Sequence, residues 1–178
     1  MKKAFALIAC LGLLFMLIGC DGTPGEAEVT LRLNPGIDTI EINTEFVDAG
    51  VTFEVNGRNR SVDTVDNQVD TSTLGAYTVT YTVTYDDKTY SVDRHVYVID
   101  ETPPVITLNP GVDTIFVGDQ WTDAGAIVED NSLEVIDIVV GGEVDTNLAG
   151  TYEITYTATD SSDNTITATR YVVVIEKD

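Results

Sequence analysis

Residues 77–84 read Tyr-Thr-Val-Thr-Tyr-Thr-Val-Thr, in which large apolar side chains alternate with threonines without a break. Because successive side chains of a β-strand point to opposite faces, this period of two predicts a strand with one buried and one polar face. Residues 152–159 alternate in the same way. No segment shows the apolar periodicity of a helix of three turns, so we predict an all-β protein.

The same sequence unit occurs twice. At a constant offset of 75 positions, residues 33–84 match residues 108–159, and the strings Leu-Asn-Pro-Gly, Asp-Ala-Gly, Val-Asp-Thr and Gly-x-Tyr recur in both. Such repetition indicates that each copy folds on its own pattern. Short strands separated by frequent turn residues predict a small β-sandwich for each copy. We place the first domain at 28–99, a proline-stiffened linker at 100–104, and the second domain at 105–178.

The first twenty residues have the features of an export signal. Two lysines precede an apolar run of about 16 residues, which is shorter than the roughly 20 that span a bilayer and typical of a signal peptide. The run ends in Leu-Ile-Gly-Cys at residues 17–20, which resembles the lipobox of bacterial lipoproteins. The resemblance implies that residues 1–19 are a lipoprotein signal peptide, that Cys20 is diacylated, and that residues 20–27 form a flexible tether. The alternatives are a plain signal peptide and an uncleaved anchor.

The lipobox resemblance also implies a location. The chain is expected to be exported and to be held by the lipid on Cys20 at the extracytoplasmic face of the bacterial cell membrane. Cys10 lies within the predicted signal peptide, and the sulfur of Cys20 carries the lipid. The exported part therefore has no thiol left for a disulfide, and its domains must be stable by core packing alone.

Composition excludes several functions. The chain has 9 Lys and Arg residues against 30 Asp and Glu residues, which gives a formal net charge of −21. Nucleic-acid binding requires a basic surface, so we expect no nucleic-acid partner. The negative charge favours a soluble monomer. With one histidine, His95, and no activated-nucleophile motif, we predict that the protein is not an enzyme.

Both copies resemble one protein family. In the second copy, Pro-Pro-Val-Ile-Thr-Leu-Asn at 103–109, Gly-Asp-x-Trp-Thr-Asp-Ala-Gly-Ala at 118–126 and Tyr-Thr-Ala-Thr-Asp at 156–160 resemble the bacterial immunoglobulin-like repeat named after a pesticidal crystal protein. The resemblance implies a non-enzymatic cell-surface module that acts as a spacer, an adhesion module or a binding module, with a surface protein or a glycan as its partner. The alternative is a carbohydrate-binding accessory protein, either dependent on calcium or independent of it.

Calcium is the only cofactor candidate, because hard cations take several oxygen ligands and carboxylates on loops supply them. Acidic residues cluster in the predicted linker, after a predicted strand near residue 130, and in a predicted hairpin turn near residue 160. None of these segments is an EF-hand loop. The alternative is that they are solvated turn residues, since Asp and Asn favour turns. The candidate ligands are Asp100, Glu101, Asp130, Asp160 and Asp163.

Two arginines occupy positions that strand alternation assigns to the interior. Arg94 and Arg170 each stand two and four places before valines of the same face. An unpaired buried charge is very costly, so each arginine requires a carboxylate. We predict Asp48 as the partner of Arg94 and Asp123 as the partner of Arg170. The alternative is a position near the end of the sheet, from which the guanidinium reaches solvent.

Three aromatic residues have predicted structural roles. Tyr77 and Tyr152 each complete the Gly-x-Tyr string before an alternating strand, which is typical of a tyrosine corner. We expect both to bond to the backbone or to pack in the core. A single Trp on a sandwich is able to stack on sugars, but Phe46 stands in the place of Trp121 in the first copy, which favours a core position.

Overall fold

The structure, a computed structural model, describes residues 26–177. This part of the chain contains thirteen β-strands and no helix, so the all-β prediction is confirmed. A membrane-spanning helix, long and apolar enough to cross the bilayer, is accordingly not found in the described residues. The predicted signal peptide, Cys20 and most of the predicted tether lie outside them.

The chain divides into two compact units. Within the described residues, the first unit comprises Glu45–Thr71 and Gly75–Val98 together with the chain from residue 26 to Ile40. The second unit comprises Glu41–Thr44, Ser72–Leu74 and the chain from Ile99 onward.

The first repeat contains seven strands, which form two sheets. They are β1 (Val29–Leu33), β2 (Thr39–Glu41), β3 (Val51–Val55), β4 (Arg58–Arg60), β5 (Thr64–Asn67), β6 (Gly75–Tyr85) and β7 (Lys88–Ile99). One sheet has the order β1-β3-β4, and the other has the order β2-β7-β6-β5. The long hairpin of β6 and β7 forms the centre of the larger sheet, with Val79 opposite Arg94.

The second repeat contains six strands. They are β8 (Val105–Leu108), β9 (Thr114–Phe116), β10 (Ala126–Glu129), β11 (Ile138–Gly141), β12 (Gly150–Thr159) and β13 (Thr165–Ile175). The smaller sheet pairs β8 with β10, and the larger has the order β11-β12-β13-β9. Strand β9 runs parallel to β13, whereas the other described pairs of this repeat are antiparallel.

The alternating segments form the buried faces of both repeats. In β6, Val79, Tyr81 and Val83 are fully buried, whereas the threonines between them are partly exposed. Their side chains pack against the smaller sheet in two clusters, one of which joins Val83 to Phe53 of β3. In the second repeat, the core consists of Ile154, Tyr156 and Val172, packed against residues of β8 and β10. Each repeat is therefore a β-sandwich.

We expect the core of the second repeat to tolerate truncation poorly. The Ile154→Ala variant, at a side chain that is 3% exposed, should lose about 2–5 kcal/mol of unfolding free energy, because a buried cavity replaces the removed atoms. Urea unfolding followed by the fluorescence of Trp121, the only tryptophan in the chain, measures this loss in the second unit.

The matched control for this measurement is Ile127→Ala, because Ile127 of β10 is 52% exposed. Its unfolding free energy should stay within about 0.5–1 kcal/mol of wild type. Equal losses at the two positions would contradict the assignment of the core.

Candidate functional site

Arg94 of β7 lies at the centre of a buried hydrogen-bond network in the first unit. Its side chain is 1% exposed. Nη1 donates to Oδ1 of Asp38 at 2.6 Å, and Nη2 donates to the backbone carbonyls of Asn34 at 2.6 Å and Gly50 at 3.1 Å. One guanidinium therefore holds together segments that lie more than forty residues away in the chain. We call this network the arginine clamp.

The second unit repeats the clamp with equivalent residues. Arg170 of β13 is 3% exposed, and its Nη1 donates to Oδ1 of Asp113 at 2.8 Å. Its Nη2 donates to the carbonyls of Asn109 at 2.6 Å and Gly125 at 3.2 Å. The five donors of a guanidinium lie in one plane, and this arrangement uses that geometry to satisfy carbonyls in two loops at once.

The carboxylates named from the sequence lie beside the clamp, but others are closer. Oδ1 of Asp48 is 3.5 Å from Nε of Arg94, and Oδ1 of Asp123 is 3.8 Å from Nε of Arg170. The shortest contacts are instead made by Asp38 and by its equivalent in the second repeat. Sequence reasoning missed both of these residues. The available signal was that each ends an Asn-Pro-Gly-x-Asp string found in both copies.

A tyrosine hydroxyl completes each clamp. Tyr81 donates to Oδ1 of Asp48, which also accepts the backbone N–H of Gly50 at 2.9 Å. The Asp48 carboxylate thus fixes the loop that offers its carbonyl to Arg94. In the second unit Tyr156 makes the equivalent bond to an Asp-Ala-Gly aspartate.

The clamps leave no room for a side chain at the glycine of Asn-Pro-Gly. A Cβ atom on Gly36 would lie 2.8 Å from Cβ of Ala49 and 2.9 Å from Nη1 of Arg94. On Gly111 it would lie 2.8 Å from Cβ of Ala124. Real Cβ atoms do not approach other atoms so closely, and this explains why the two strings Asn-Pro-Gly and Asp-Ala-Gly occur together in both copies.

The clamps shift the titration of the groups inside them. Burial raises the pKa of Tyr81 to about 12, and its hydrogen bond to Asp48 acts in the same direction. Burial and the bond to Asp123 also raise the pKa of Tyr156. Burial alone would lower the pKa of Arg94, but the neighbouring Tyr81 hydroxyl and the hydrogen bond to Asp38 raise it above its ordinary value. The arginines therefore stay charged and the phenols stay neutral at physiological pH.

The two predicted tyrosine-corner residues have different surroundings. Tyr152 of β12 donates from its hydroxyl to the carbonyl of Leu148 at 2.8 Å, a bond to backbone a few residues upstream. Tyr77 of β6 is half-buried and packs against the core cluster of Val79, Tyr81 and Val96.

Three aspartates of the second unit lie close together at the ends of three strands. Asp100 directly follows β7, Asp130 follows β10 and Asp160 follows β12. One carboxylate oxygen from each lies within 4.8 Å of those of the other two. Asp100 is 7% and Asp160 6% exposed, whereas Asp130 is half-buried. We call these three residues the aspartate trio.

Glu101 and Asp163, the other two calcium ligands predicted from the sequence, are not part of the trio. Both are exposed. Asp163 has a φ of 70° in the turn after β12, where its backbone N–H donates to the carbonyl of Asp160 at 3.3 Å.

Each aspartate of the trio uses one oxygen to hold its own loop. Oδ1 accepts the backbone N–H of the residue two places later, from Thr102 at 3.2 Å, Ser132 at 2.8 Å and Ser162 at 2.9 Å. This is the usual local bond of an Asp that begins a turn. Burial raises the pKa of Asp100, and the neighbouring carboxyl groups of Glu41 and Asp130 raise it further. The trio is thus a crowded group of like charges.

Comparison with protein families identifies the two repeats. The family model described as bacterial surface protein, Ig-like domain, matches residues 37–98 and 106–174, which together are most of the chain. The chain belongs to this family. No curated protein is similar enough in sequence to count as a match. Both Ig-like domains are therefore modules of the kind found in bacterial surface proteins.

The remaining predicted residues have ordinary positions in the Ig-like domains. His95 is exposed on β7, opposite Thr78 of β6. Trp121 is half-buried, packs against the core of the second domain, and donates its indole N–H to the carbonyl of Val112 at 3.0 Å. Its ring therefore contributes to the core of the domain.

Removing the acidic partner of a clamp should destabilise the Ig-like domain that contains it. We expect Asp113→Ala to lower the unfolding free energy of the second unit by about 1.5–3 kcal/mol, because a hydrogen bond to the buried charge of Arg170 is lost. Urea unfolding with Trp121 fluorescence measures the change.

The control for the clamp variant is Lys177→Ala. It removes the 2.9 Å ion pair with Asp119, whose side chains are 59% and 41% exposed, so the loss should be under about 1 kcal/mol. A larger loss from Lys177→Ala than from Asp113→Ala would refute the structural importance of the clamp.

The raised pKa of Tyr81 predicts a loss of stability at alkaline pH. The unfolded phenol ionises near pH 10, whereas the folded phenol keeps its proton up to about pH 12. The folded state therefore binds more protons in this window, and the unfolding free energy falls as pH rises through it. Urea unfolding of the first unit, followed by circular dichroism at several pH values, should show a shallower decline for Tyr81→Phe. Tyr97→Phe, at a tyrosine of the same unit that is 49% exposed, is the matched control and should keep the wild-type slope.

Proposed function

We propose that this protein is an exported lipoprotein whose two Ig-like domains form a non-enzymatic surface module. The observation that carries the surface module is the family match over both repeats, since the matching family consists of Ig-like domains of bacterial surface proteins. The lipoprotein part of the proposal rests on the Leu-Ile-Gly-Cys string at residues 17–20. In this proposal the lipid on Cys20 holds the chain at the extracytoplasmic face of the membrane, and the two domains act as a spacer, an adhesion module or a binding module.

The stability of the two domains suits an exposed location. Residues 26–177 contain no cysteine, so neither domain depends on a disulfide or on the redox state of its surroundings. A buried arginine clamp in each domain connects its loops to the larger sheet instead. The net charge of −21 favours solubility and opposes self-association, so we propose a monomer.

A non-enzymatic role is supported by how the titratable side chains are used. Both buried arginines are held by backbone carbonyls and a carboxylate, and the two buried tyrosines bond to aspartates of the same networks. These groups stabilise loops and offer no activated nucleophile. The narrower resemblance to the repeat named after a pesticidal crystal protein stays a prediction within the matched family.

The carbohydrate-binding alternative is weakened by the position of Trp121, the residue expected to stack on a sugar. A sugar platform requires an exposed aromatic ring, but the indole of Trp121 packs against the core and its N–H is bound to Val112. A surface protein is therefore our preferred partner class, and a glycan array is the direct test of the alternative.

Lipid attachment at Cys20 can be tested by substitution of this cysteine and labelling with fatty acid. We expect the wild-type protein, expressed in a bacterial host, to incorporate labelled fatty acid and to partition into the detergent phase, because two acyl chains give stable membrane anchoring. The Cys20→Ser variant should incorporate no label and should leave the detergent phase.

The matched control is Cys10→Ser, because Cys10 is the only other cysteine and lies within the predicted signal peptide. This variant should be labelled like wild type. Labelling of Cys20→Ser, or an unlabelled wild type, would refute the lipoprotein proposal, and protease treatment of intact cells then tests surface display separately.

A further inference from the structure

The aspartate trio has no positive partner in its own unit. The second unit contains two basic residues, Arg170 and Lys177. Arg170 is held in its clamp, and Lys177 pairs with Asp119 at 2.9 Å. The ion pairs found among the described residues do not include any member of the trio. Three neighbouring carboxylates, two of them more than nine-tenths buried, are costly without a counter-charge.

Buried oxygens at the trio also lack hydrogen-bond donors. Oδ2 of Asp100 and Oδ2 of Asp130 are shielded from solvent and accept no hydrogen bond. The same holds for Oδ1 of Asn131, whose Nδ2 donates to Glu41 of the same unit at 3.1 Å. Buried acceptors without a donor are rare in folded proteins and destabilise them. Two of them belong to the trio and the third to the residue that follows Asp130, and together with the clustered negative charges they point to a bound cation.

The first repeat has apolar or aromatic residues at the positions that Asp130 and Asp160 occupy in the second repeat. At the offset of 75 residues, Asp130 corresponds to Val55 and Asp160 to Tyr85. Val55 is 2% exposed and Tyr85 packs against its cluster, so apolar side chains close the first domain at the equivalent strand ends. In the second domain carboxylates replace that apolar contact. Carboxylates repel one another and cannot form an apolar contact of this kind. They can lie close together when they share a bound cation.

We propose that the aspartate trio, together with Oδ1 of Asn131, binds one calcium ion. Calcium takes oxygen ligands at 2.3–2.6 Å, so oxygens that share one ion lie within about 5 Å of one another, as the trio does. Magnesium requires shorter bonds in a strict octahedron and keeps several waters. Transition metals prefer imidazole or thiolate ligands, and the second unit has neither His nor Cys.

The surrounding loops already hold the trio in place. Nδ2 of Asn164 donates both to the backbone carbonyl of Asp100 at 3.1 Å and to Oδ2 of Asp160 at 2.8 Å. A cation at the trio ties the segment directly after β7 to the ends of β10 and β12. The expected result is a second Ig-like domain whose stability depends on calcium. This inference does not depend on the lipid anchor or on surface display.

Thermal unfolding of the purified protein in 0.15 M salt tests the site, with Trp121 fluorescence reporting on the second unit alone. Extracellular calcium modules bind with Kd values of about 0.1–1 mM. Calcium at about 10 mM should therefore raise the Tm of the second unit by at least about 5 °C relative to protein in chelator. Magnesium at the same concentration should raise it by less than half as much. No shift with calcium, or an equal shift with magnesium, would overturn the proposal.

The Asp130→Asn variant distinguishes a metal-binding role of Asp130 from a purely structural one. Asparagine keeps the shape and the oxygen that accepts from Ser132, but it removes one negative charge. The calcium-induced rise in Tm should fall to under about 1 °C, and the Tm in chelator should increase because repulsion within the trio is relieved. A residue that only holds its loop would instead lower the Tm in chelator and leave the calcium response intact.

The matched controls are Glu101→Gln and Asp163→Asn, which remove the same charge from exposed neighbours of the trio. Both should keep the wild-type calcium response. Loss of that response in the controls would show that the calcium-induced rise in Tm comes from general charge screening, and it would overturn the proposed site. Should Asp130→Asn fail to fold, calorimetry of the wild-type protein decides: one calcium per chain supports the proposal, and absence of binding overturns it.

Discussion

The buried arginine of each repeat is the constraint on which the rest of the domain depends. A buried guanidinium is costly unless it is hydrogen-bonded, and the Nη atoms of Arg94 and Arg170 bind backbone carbonyls from two separate loops and one carboxylate. Nε of Arg170 donates to the hydroxyl of Tyr156, whereas Nε of Arg94 has no hydrogen-bond partner. The clamp therefore dictates the path of both loops. The clamp explains the Asn-Pro-Gly string, because the glycine lies against the guanidinium with no space for a Cβ atom. It also explains the Asp-Ala-Gly string, because the arginine donates to the carbonyl of that glycine.

The clamp takes the structural place of a disulfide. In exported domains, cross-links between distant parts of the chain commonly come from cysteine pairs, but the described residues have none. Arg94 joins β7 to loops 44 and 60 residues away, which is a long-range connection of the same kind. Because the network is buried and charged, it stabilises one arrangement of the loops and disfavours others. The hydroxyls of Tyr81 and Tyr156 add to this selectivity, since each donates a hydrogen bond to the aspartate of its loop.

The two domains share the clamp but differ at the ends of their strands. The first has an apolar cluster that includes Val55 and Tyr85 at its strand ends, and the second has Asp130 and Asp160 of the aspartate trio at the equivalent positions. The clamp is common to both repeats and is therefore part of the fold that they share. A feature confined to one repeat, and costly to that repeat without a partner, is where a property specific to this protein is expected. The negative charge of the chain makes the same surface favourable for a divalent cation.

The sequence alone determined the class of fold and the burial of the arginines. Alternation with a period of two identified the strands, because side chains of a strand point to opposite faces, and the same parity placed Arg94 and Arg170 inside. It did not identify Asp38 and Asp113 as their closest partners, since spacing along the chain does not specify which of several loop carboxylates reaches a buried charge.

The tertiary structure decided which carboxylates act together. Five acidic residues in three loops were candidates, and only Asp100, Asp130 and Asp160 are close enough to share an ion. Each is the first residue after a strand, and these strand ends converge, whereas Glu101 and Asp163 lie further along their turns on the exposed side. Local sequence sets the shape of a turn, but the pairing and packing of distant strands set which turns meet.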